Sequence, residues 1–104
     1  RIMMSATKAM EITAENIVMF KEEVMKVIEE SISPKLNDAI LTSARALQQE
    51  ARLYLIKGEY RWHIPTASRE EFFIKWLHDY IKEQKFKDIK IEPTKDYINI
   101  SFRW

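Results

Sequence analysis

Histidines and paired carboxylates are the side chains of this 104-residue chain with the clearest capacity for chemistry. His63 and His78 are its two histidines, and neither has another metal-binding side chain at a spacing typical of ligands. The adjacent glutamates at 22–23, 29–30 and 70–71 point to different sides of a helix, which indicates solvated helix surface. One glycine is too few for a phosphate-binding loop, and the absence of cysteine excludes thiolate chemistry. We therefore expect no enzyme and no metal or other cofactor.

The basic residues between Lys82 and Lys90 are the strongest sign of nucleic-acid binding. Acidic residues are interleaved with them, and 17 Lys plus Arg against 16 Asp plus Glu leave a net charge of only +1. The long-range attraction that drives non-specific binding to phosphates is therefore weak. Nucleic-acid binding stays an alternative function, with these candidate contacts on or beside an open sheet face: Arg61, His63, Lys85, Lys87, Lys90 and Arg103.

Apolar spacing predicts two helices in the first half of the chain. Thr13 is the predicted N-cap of the first helix, and apolar residues recur at helical spacing from Ile17 to Ile32. Ser33-Pro34 is predicted to end that helix and to start the second one. The second helix is predicted to run to Lys57, with Gly58 as its left-handed C-cap.

The second half of the chain alternates between strand and helix patterns. Residues 60–64 predict a strand, Ser68 with Glu71 predicts the capped start of a third helix, and residues 89–91 and 98–104 predict two more strands. A right-handed crossover makes the first two strands parallel, and the last strand fits between them, antiparallel to both. The predicted fold class is α+β: two N-terminal helices, then strand-helix-strand-strand in a three-stranded mixed sheet with the helices on one face.

Composition predicts one domain with a substantial core. Hydrophobic residues make up 46% of the chain, and Trp62 and Trp76 are expected in the same core cluster. We assign residues 13–104 to the domain and residues 1–12 to a flexible or tag-derived N-terminus. No apolar run approaches the roughly 20 residues of a membrane-spanning helix, so we expect no membrane partner and a cytoplasmic location.

Apolar residues outside the main line of the first helix favour a protein partner. Val18, Met19 and Met25 lie off that line, and flexible methionine is common at adaptable contact surfaces. Trp104 is a large side chain at a position that is usually frayed. These four residues are the predicted partner contacts, and a homo-oligomer, dimer or higher, is expected. A further alternative is a protein that sequesters a small ligand in a pocket at an oligomer interface.

Roughly the last 60 residues combine a helix that ends in Ile56-Lys57-Gly58, the pattern of residues 59–64, and two terminal strands led by Lys85-Phe86 and Tyr97. With these features they resemble small, mostly uncharacterised accessory proteins of tailed phages. Such proteins often have glycine where this chain has Lys85. The resemblance implies a viral accessory or host-takeover factor, in the host cytoplasm, that occupies a partner protein's surface and does no chemistry.

Overall fold

The structure is a computed structural model that describes residues 2–61, 64 and 66–104. The chain is α+β, and its elements follow the predicted order of helix, helix, strand, helix, strand and strand. They are α1 (Ala6–Val27), α2 (Ser33–Arg45), β1 (Glu50–Ile56), α3 (Ala67–Glu83), β2 (Lys87–Pro93) and β3 (Tyr97–Arg103).

Helix α1 begins closer to the N-terminus than predicted. Ser5 is its N-cap, because the Ser5 hydroxyl accepts a hydrogen bond from the backbone N–H of Lys8 at 3.1 Å. Thr13 lies inside the helix, where its hydroxyl donates to the Ala9 carbonyl at 2.9 Å. The predicted cap at Thr13 was therefore wrong. The assignment of residues 1–12 to a flexible or tag-derived terminus stays a prediction.

A π-helical turn, Ile28–Ile32, joins α1 to α2 without a loop. The backbone N–H of Ser33 donates to the carbonyl of Ile28, five residues earlier. Pro34 stands in the first turn of α2, where its missing N–H costs little. Helix α2 begins at Ser33, as predicted, but α1 already ends at Val27, and helical backbone angles continue through the junction, so residues 6–45 form one helical run.

Helix α2 ends at Arg45 and does not extend to the predicted end at Lys57. Leu47 takes a left-handed φ of 62°, and the N–H of Gln48 donates to the Ser43 carbonyl at 2.9 Å. This is the hydrogen-bond pattern of a Schellman motif, which usually has glycine at the left-handed position. A leucine there gives no sequence signal for the helix end.

The residues predicted as the last turns of α2 form strand β1. Ala51 and Leu55 are buried, whereas Arg52 and Tyr54 between them are exposed. Because Ala51 and Leu55 are also four residues apart, the same pattern fits a helix. Gly58 follows in a short 3₁₀ turn and has no positive φ, so its predicted role as a helix cap was wrong.

The strand predicted over residues 60–64 is absent from the described part of that segment. Tyr60 ends the 3₁₀ turn and is buried. The N–H of Ile64 donates to the Tyr60 carbonyl at 3.0 Å, which is a turn contact and not a sheet contact. Trp62 and His63 lie outside the described residues, so the burial of Trp62 stays a prediction.

Helix α3 has the predicted apolar face but a different cap. The Thr66 hydroxyl accepts a hydrogen bond from the N–H of Arg69 at 3.2 Å, so the capping box of Ser68 and Glu71 was wrong. The face that packs into the core comprises Phe72, Phe73, Trp76, Leu77, Tyr80 and Ile81.

The sheet has the order β1-β3-β2, with β3 in the centre. Both neighbouring pairs are antiparallel, so β1 and β2 run parallel to each other, as predicted for the outer strands. The description as a mixed sheet was wrong, because the two parallel strands are not neighbours. Leu53 and Ile91 both lie opposite Ile100. The apolar face of the sheet packs against the helices, and its buried members are Ala51, Leu55, Ile98, Ile100 and Phe102.

Candidate functional site

A line of mostly apolar residues runs along helix α1 and begins at Met3, just before the helix. Its members are separated alternately by three and four residues, which is the spacing of a coiled-coil contact line. We call this set the α1 seam, and it comprises Met3, Ala6, Met10, Thr13, Ile17, Phe20, Val24 and Val27.

The second half of the α1 seam belongs to the core. Phe20 is 6% exposed and Val24 is fully buried. The Phe20 ring lies 5.5 Å from the ring of Trp76 in α3, and the Arg69 guanidinium stands 4.9 Å from the Phe20 ring centroid. Ile17 is half-buried against the same cluster and marks the edge of the covered region.

The first half of the α1 seam is exposed within the described chain. Met10 is 72% exposed and Met3 is 92% exposed, while Ala6 and Thr13 are exposed as well. We call residues 6–16 the arm. The molecule measures 65 × 27 × 22 Å, and at about 1.5 Å per residue the helical run of residues 6–45 accounts for the long dimension. The arm therefore projects from the packed remainder of the described chain. We call that remainder, residues 17–61, 64 and 66–104, the body.

Charged groups of the arm lie on the side away from the seam. Lys8, Glu11 and Glu15 recur at spacings of three and four residues, and Lys8 pairs with Glu11 at 3.7 Å. Thr13 directs its hydroxyl proton back to the Ala9 carbonyl. The seam side of the arm thus presents methyl, thioether and alanine surface.

The predicted partner contacts fall into two kinds of environment. Val18 and Met19 are 60% and 66% exposed near the middle of α1. Met25 is half-buried against the core. Trp104 is also half-buried, and its ring lies 6.0 Å from the ring of Phe86. The backbone N–H of Trp104 donates to the backbone carbonyl of Gln49. A role for these four in partner binding stays a prediction.

The sheet face opposite the core is polar and open. A shallow groove of about 480 Å³ crosses it. We call it the sheet groove, and its polar and aromatic side chains are Arg52, Tyr54, Lys90, Glu92, Asn99 and Ser101. Tyr54 packs edge-on against Tyr97 at 5.3 Å between ring centroids, and both rings are exposed. Arg52 and Lys90 flank Ser101 across the three strands.

The predicted nucleic-acid contacts are only partly brought together. Lys90 and Arg103 lie on strands of the sheet and are exposed. Lys87, the first residue of β2, is exposed opposite Arg103, and Lys85 is exposed just before β2; neither residue lines the sheet groove.

One other predicted contact, Arg61, follows the 3₁₀ turn, so the strand that was expected to bring it to the open face was wrong. His63 lies outside the described residues. Strand β1 supplies Arg52 and Tyr54 to the open face.

Acidic neighbours offset cations of the sheet. Arg52 Nε lies 3.0 Å from Glu50 Oε1, and Arg103 Nη1 lies 3.8 Å from Asp88 Oδ2. Glu92 adds a further negative charge to the groove lining. The surface is therefore zwitterionic, and its attraction for a polyanion is weakened.

One lysine has a perturbed proton affinity. Lys35 Nζ donates to the Tyr60 hydroxyl at 3.2 Å and to Glu59 Oε2 at 3.1 Å. The hydrogen bond to Tyr60 and the interaction with Glu59 raise the pKa of Lys35 above its usual 10.5, against a smaller lowering by burial. This cluster connects α2 to the turn after β1, which is a structural role.

Sequence reasoning missed the arm and the β1 part of the groove. The seam spacing was readable from Met3 onward, but a helix start placed at Thr13 excluded Ala6 and Met10. Arg52 and Tyr54 were placed on a helix, although their alternation with Ala51 and Leu55 also fits a strand.

The described helices include none that is both long and apolar enough to cross a membrane. No protein-family model, no curated protein and no solved structure matches the chain.

Proposed function

We propose that this chain is a small non-enzymatic binding module that occupies the surface of a protein partner, with the arm of α1 as the principal contact. One observation carries the proposal: the apolar seam that packs into the core through Phe20 and Val24 continues, with the same spacing, along an arm that nothing in the described chain covers.

An uncovered helical arm is unfavourable by itself. Isolated helices of this length are marginal in water, and most helical stability comes from packing an amphipathic face. Exposed methionine and alanine on one side of the arm provide such a face. A partner that covers it would stabilise the helix and remove apolar surface from water.

The other side of the arm favours a protein over a lipid surface. Helices that lie on membranes usually carry many lysines or arginines on the polar side. The arm carries Lys8 with Glu11 and Glu15, so its charges are mixed and net negative. The viral accessory role implied by the resemblance is part of this proposal, and it names no target.

Site-specific photo-crosslinking in cells tests this function. A benzophenone amino acid at position 10 on the seam should capture protein, whereas the same amino acid at position 15 on the opposite side should not. Adducts can contain a second copy or another protein, and either result supports a protein contact through the arm. Equal labelling at positions 10 and 15, or none at either, would contradict the proposal.

The sheet groove supports nucleic-acid binding as a second candidate. Exposed Tyr54 and Tyr97 could stack bases, and Arg52 with Lys90 could hold phosphates. Against it stand the ion pairs of Arg52 and Arg103 with neighbouring acids.

Titration with random-sequence oligonucleotides at several salt concentrations separates the two functions. We expect no binding tighter than about millimolar, because the net positive charge is too small. Micromolar binding that weakens steeply with salt, and that is lost in an Arg52→Glu, Lys90→Glu variant but kept in Lys8→Glu, would make the groove the functional site.

A further inference from the structure

The α1 seam identifies a specific occupant for the arm. We propose that the arm binds the arm of a second copy, in an antiparallel pair in which Ala6 lies opposite Ile17 of the second copy and Met10 lies opposite Thr13. This inference rests on the proposed function and names its partner.

Antiparallel pairing follows from which part of the seam is already covered. In a parallel pair the two seams would face each other along the whole helix, but Phe20 and Val24 are already buried in the core, with Trp76 of α3 against Phe20. The bodies of the two copies would then occupy the same place. In an antiparallel pair the arms overlap and each body lies at the opposite end.

The register follows from the seam spacing. The seam alternates between the a and d positions of a heptad, and in antiparallel coiled coils an a position of one helix faces a d position of the other. When the residue numbers of opposed positions sum to 23, Ala6 meets Ile17 and Met10 meets Thr13. Met3 comes level with Phe20, which the core already covers, so the contact ends at the margin of the body. Each layer then combines a larger side chain with a smaller one, except at Met3, which lies before the first turn.

The charges of the arm are compatible with a copy of itself. Residues that flank the seam on the arm, Thr7, Ala9, Ala14 and Asn16, are uncharged. Lys8, Glu11 and Glu15 lie on the outer side, so two identical arms bring no like charges together at the contact. Ala6, Ala9 and Ala14 also let the two backbones approach closely.

The overlap of residues 6–17 is about 18 Å long, which makes a small contact. Small interfaces are typical of weak or transient association. We therefore expect a reversible dimer, in exchange with monomer at micromolar concentrations.

Disulfide trapping tests the register, because the chain has no native cysteine to interfere. Ala6→Cys protein mixed with Ile17→Cys protein should form a disulfide-linked dimer under mild oxidation. Ala6→Cys alone should not, because two copies of position 6 are about 16 Å apart in this register and a disulfide requires Cα atoms within about 7 Å. Lys8→Cys mixed with Glu15→Cys is the matched control, since those positions also sum to 23 but lie on the outer side.

A second variant tests the dimer independently, in case Ile17→Cys lowers the stability of the fold. Met10→Glu changes an exposed residue outside the core, so it should keep the cooperative unfolding of the body while abolishing the dimer. Trapping in Ala6→Cys alone, or a mixed pair that links no better than the outer control, would overturn the inference. If photo-crosslinking at position 10 then still captured a different protein, the proposed function would stand without the second copy.

Discussion

The two halves of helix α1 carry the same apolar spacing and have opposite environments. Phe20 and Val24 are in the core, while Ala6 and Met10 face solvent in the described chain. The core therefore covers this spacing in one half of the helix and leaves it exposed in the other half within the described chain. For the arm we infer a second copy.

This comparison predicts a separation of effects. Changes in the body should alter the free energy of unfolding and leave self-association unaltered. Changes on the arm should do the reverse, because exposed residues outside special backbone conformations contribute little to stability.

The largest expected difference lies between Phe20 and Met10. Phe20→Ala removes a buried ring that contacts Trp76, and it should lower the free energy of unfolding by about 3 to 5 kcal/mol. Met10→Ala should change it by less than about 0.5 kcal/mol in dilute solution, where the arms are separate. Urea denaturation followed by tryptophan fluorescence, at protein concentrations well below the micromolar range in which the arms pair, measures both. Similar losses in the two variants would show that the arm packs on its own body.

Two backbone positions of the body, Leu47 after α2 and Gly58 after β1, should have smaller effects on the free energy of unfolding. Leu47 has a left-handed φ of 62°, so Leu47→Gly should relieve backbone strain and stabilise the fold by up to about 1 kcal/mol. Gly58 has no positive φ, and an added Cβ would meet no atom within 4 Å. Gly58→Ala should therefore also stabilise, by about 0.4 to 1 kcal/mol.

Leu47→Gly and Gly58→Ala test whether Leu47 or Gly58 takes the left-handed position, as the structure and the sequence prediction respectively have it. If Gly58 were the left-handed helix cap, Gly58→Ala would destabilise and Leu47→Gly would weaken a helix interior. Thermal unfolding of both proteins decides, and neither change should alter the dimer measured by sedimentation. Loss of the dimer in either variant would contradict the separation of body from arm.

The smallest effect concerns pH. The folded protein raises the pKa of Lys35 above 10.5, chiefly through the hydrogen bond to Tyr60, so folding favours the charged lysine. This stabilisation is present below pH 10.5 and is lost as pH rises through the raised pKa. Lys35→Gln should therefore lose less stability than the wild type between neutral and strongly alkaline pH. A parallel decline of the two unfolding free energies would show that the contact does not form.

Prediction from sequence succeeded where the apolar residues of a segment fit one periodicity and are the residues that the fold buries. The apolar face of α3 and the strand ending at Arg103 were readable because each segment fits one periodicity. Strand β1 was missed because Ala51 and Leu55 satisfy two periodicities, and pairing with β3 decided between them.

The candidate site was less accessible to sequence reasoning for a related reason. Thr13 has the residue type of a polar cap, yet in the helix it occupies a seam position and its hydroxyl donates to the Ala9 carbonyl. Val18 and Met19 were found as exposed apolar residues, whereas the regular line through Ala6 and Met10 was not. Small residues contribute little to an apolar pattern even where they allow close helix contact.

Sedimentation equilibrium of the wild type and of Met10→Glu measures whether two arms pair. We expect the wild type to approach twice the chain mass as concentration rises through the micromolar range, while Met10→Glu keeps the single-chain mass and a cooperatively folded body. A wild type that keeps the single-chain mass up to about 500 μM, well above the Kd range of most specific contacts, would contradict the pairing of two arms.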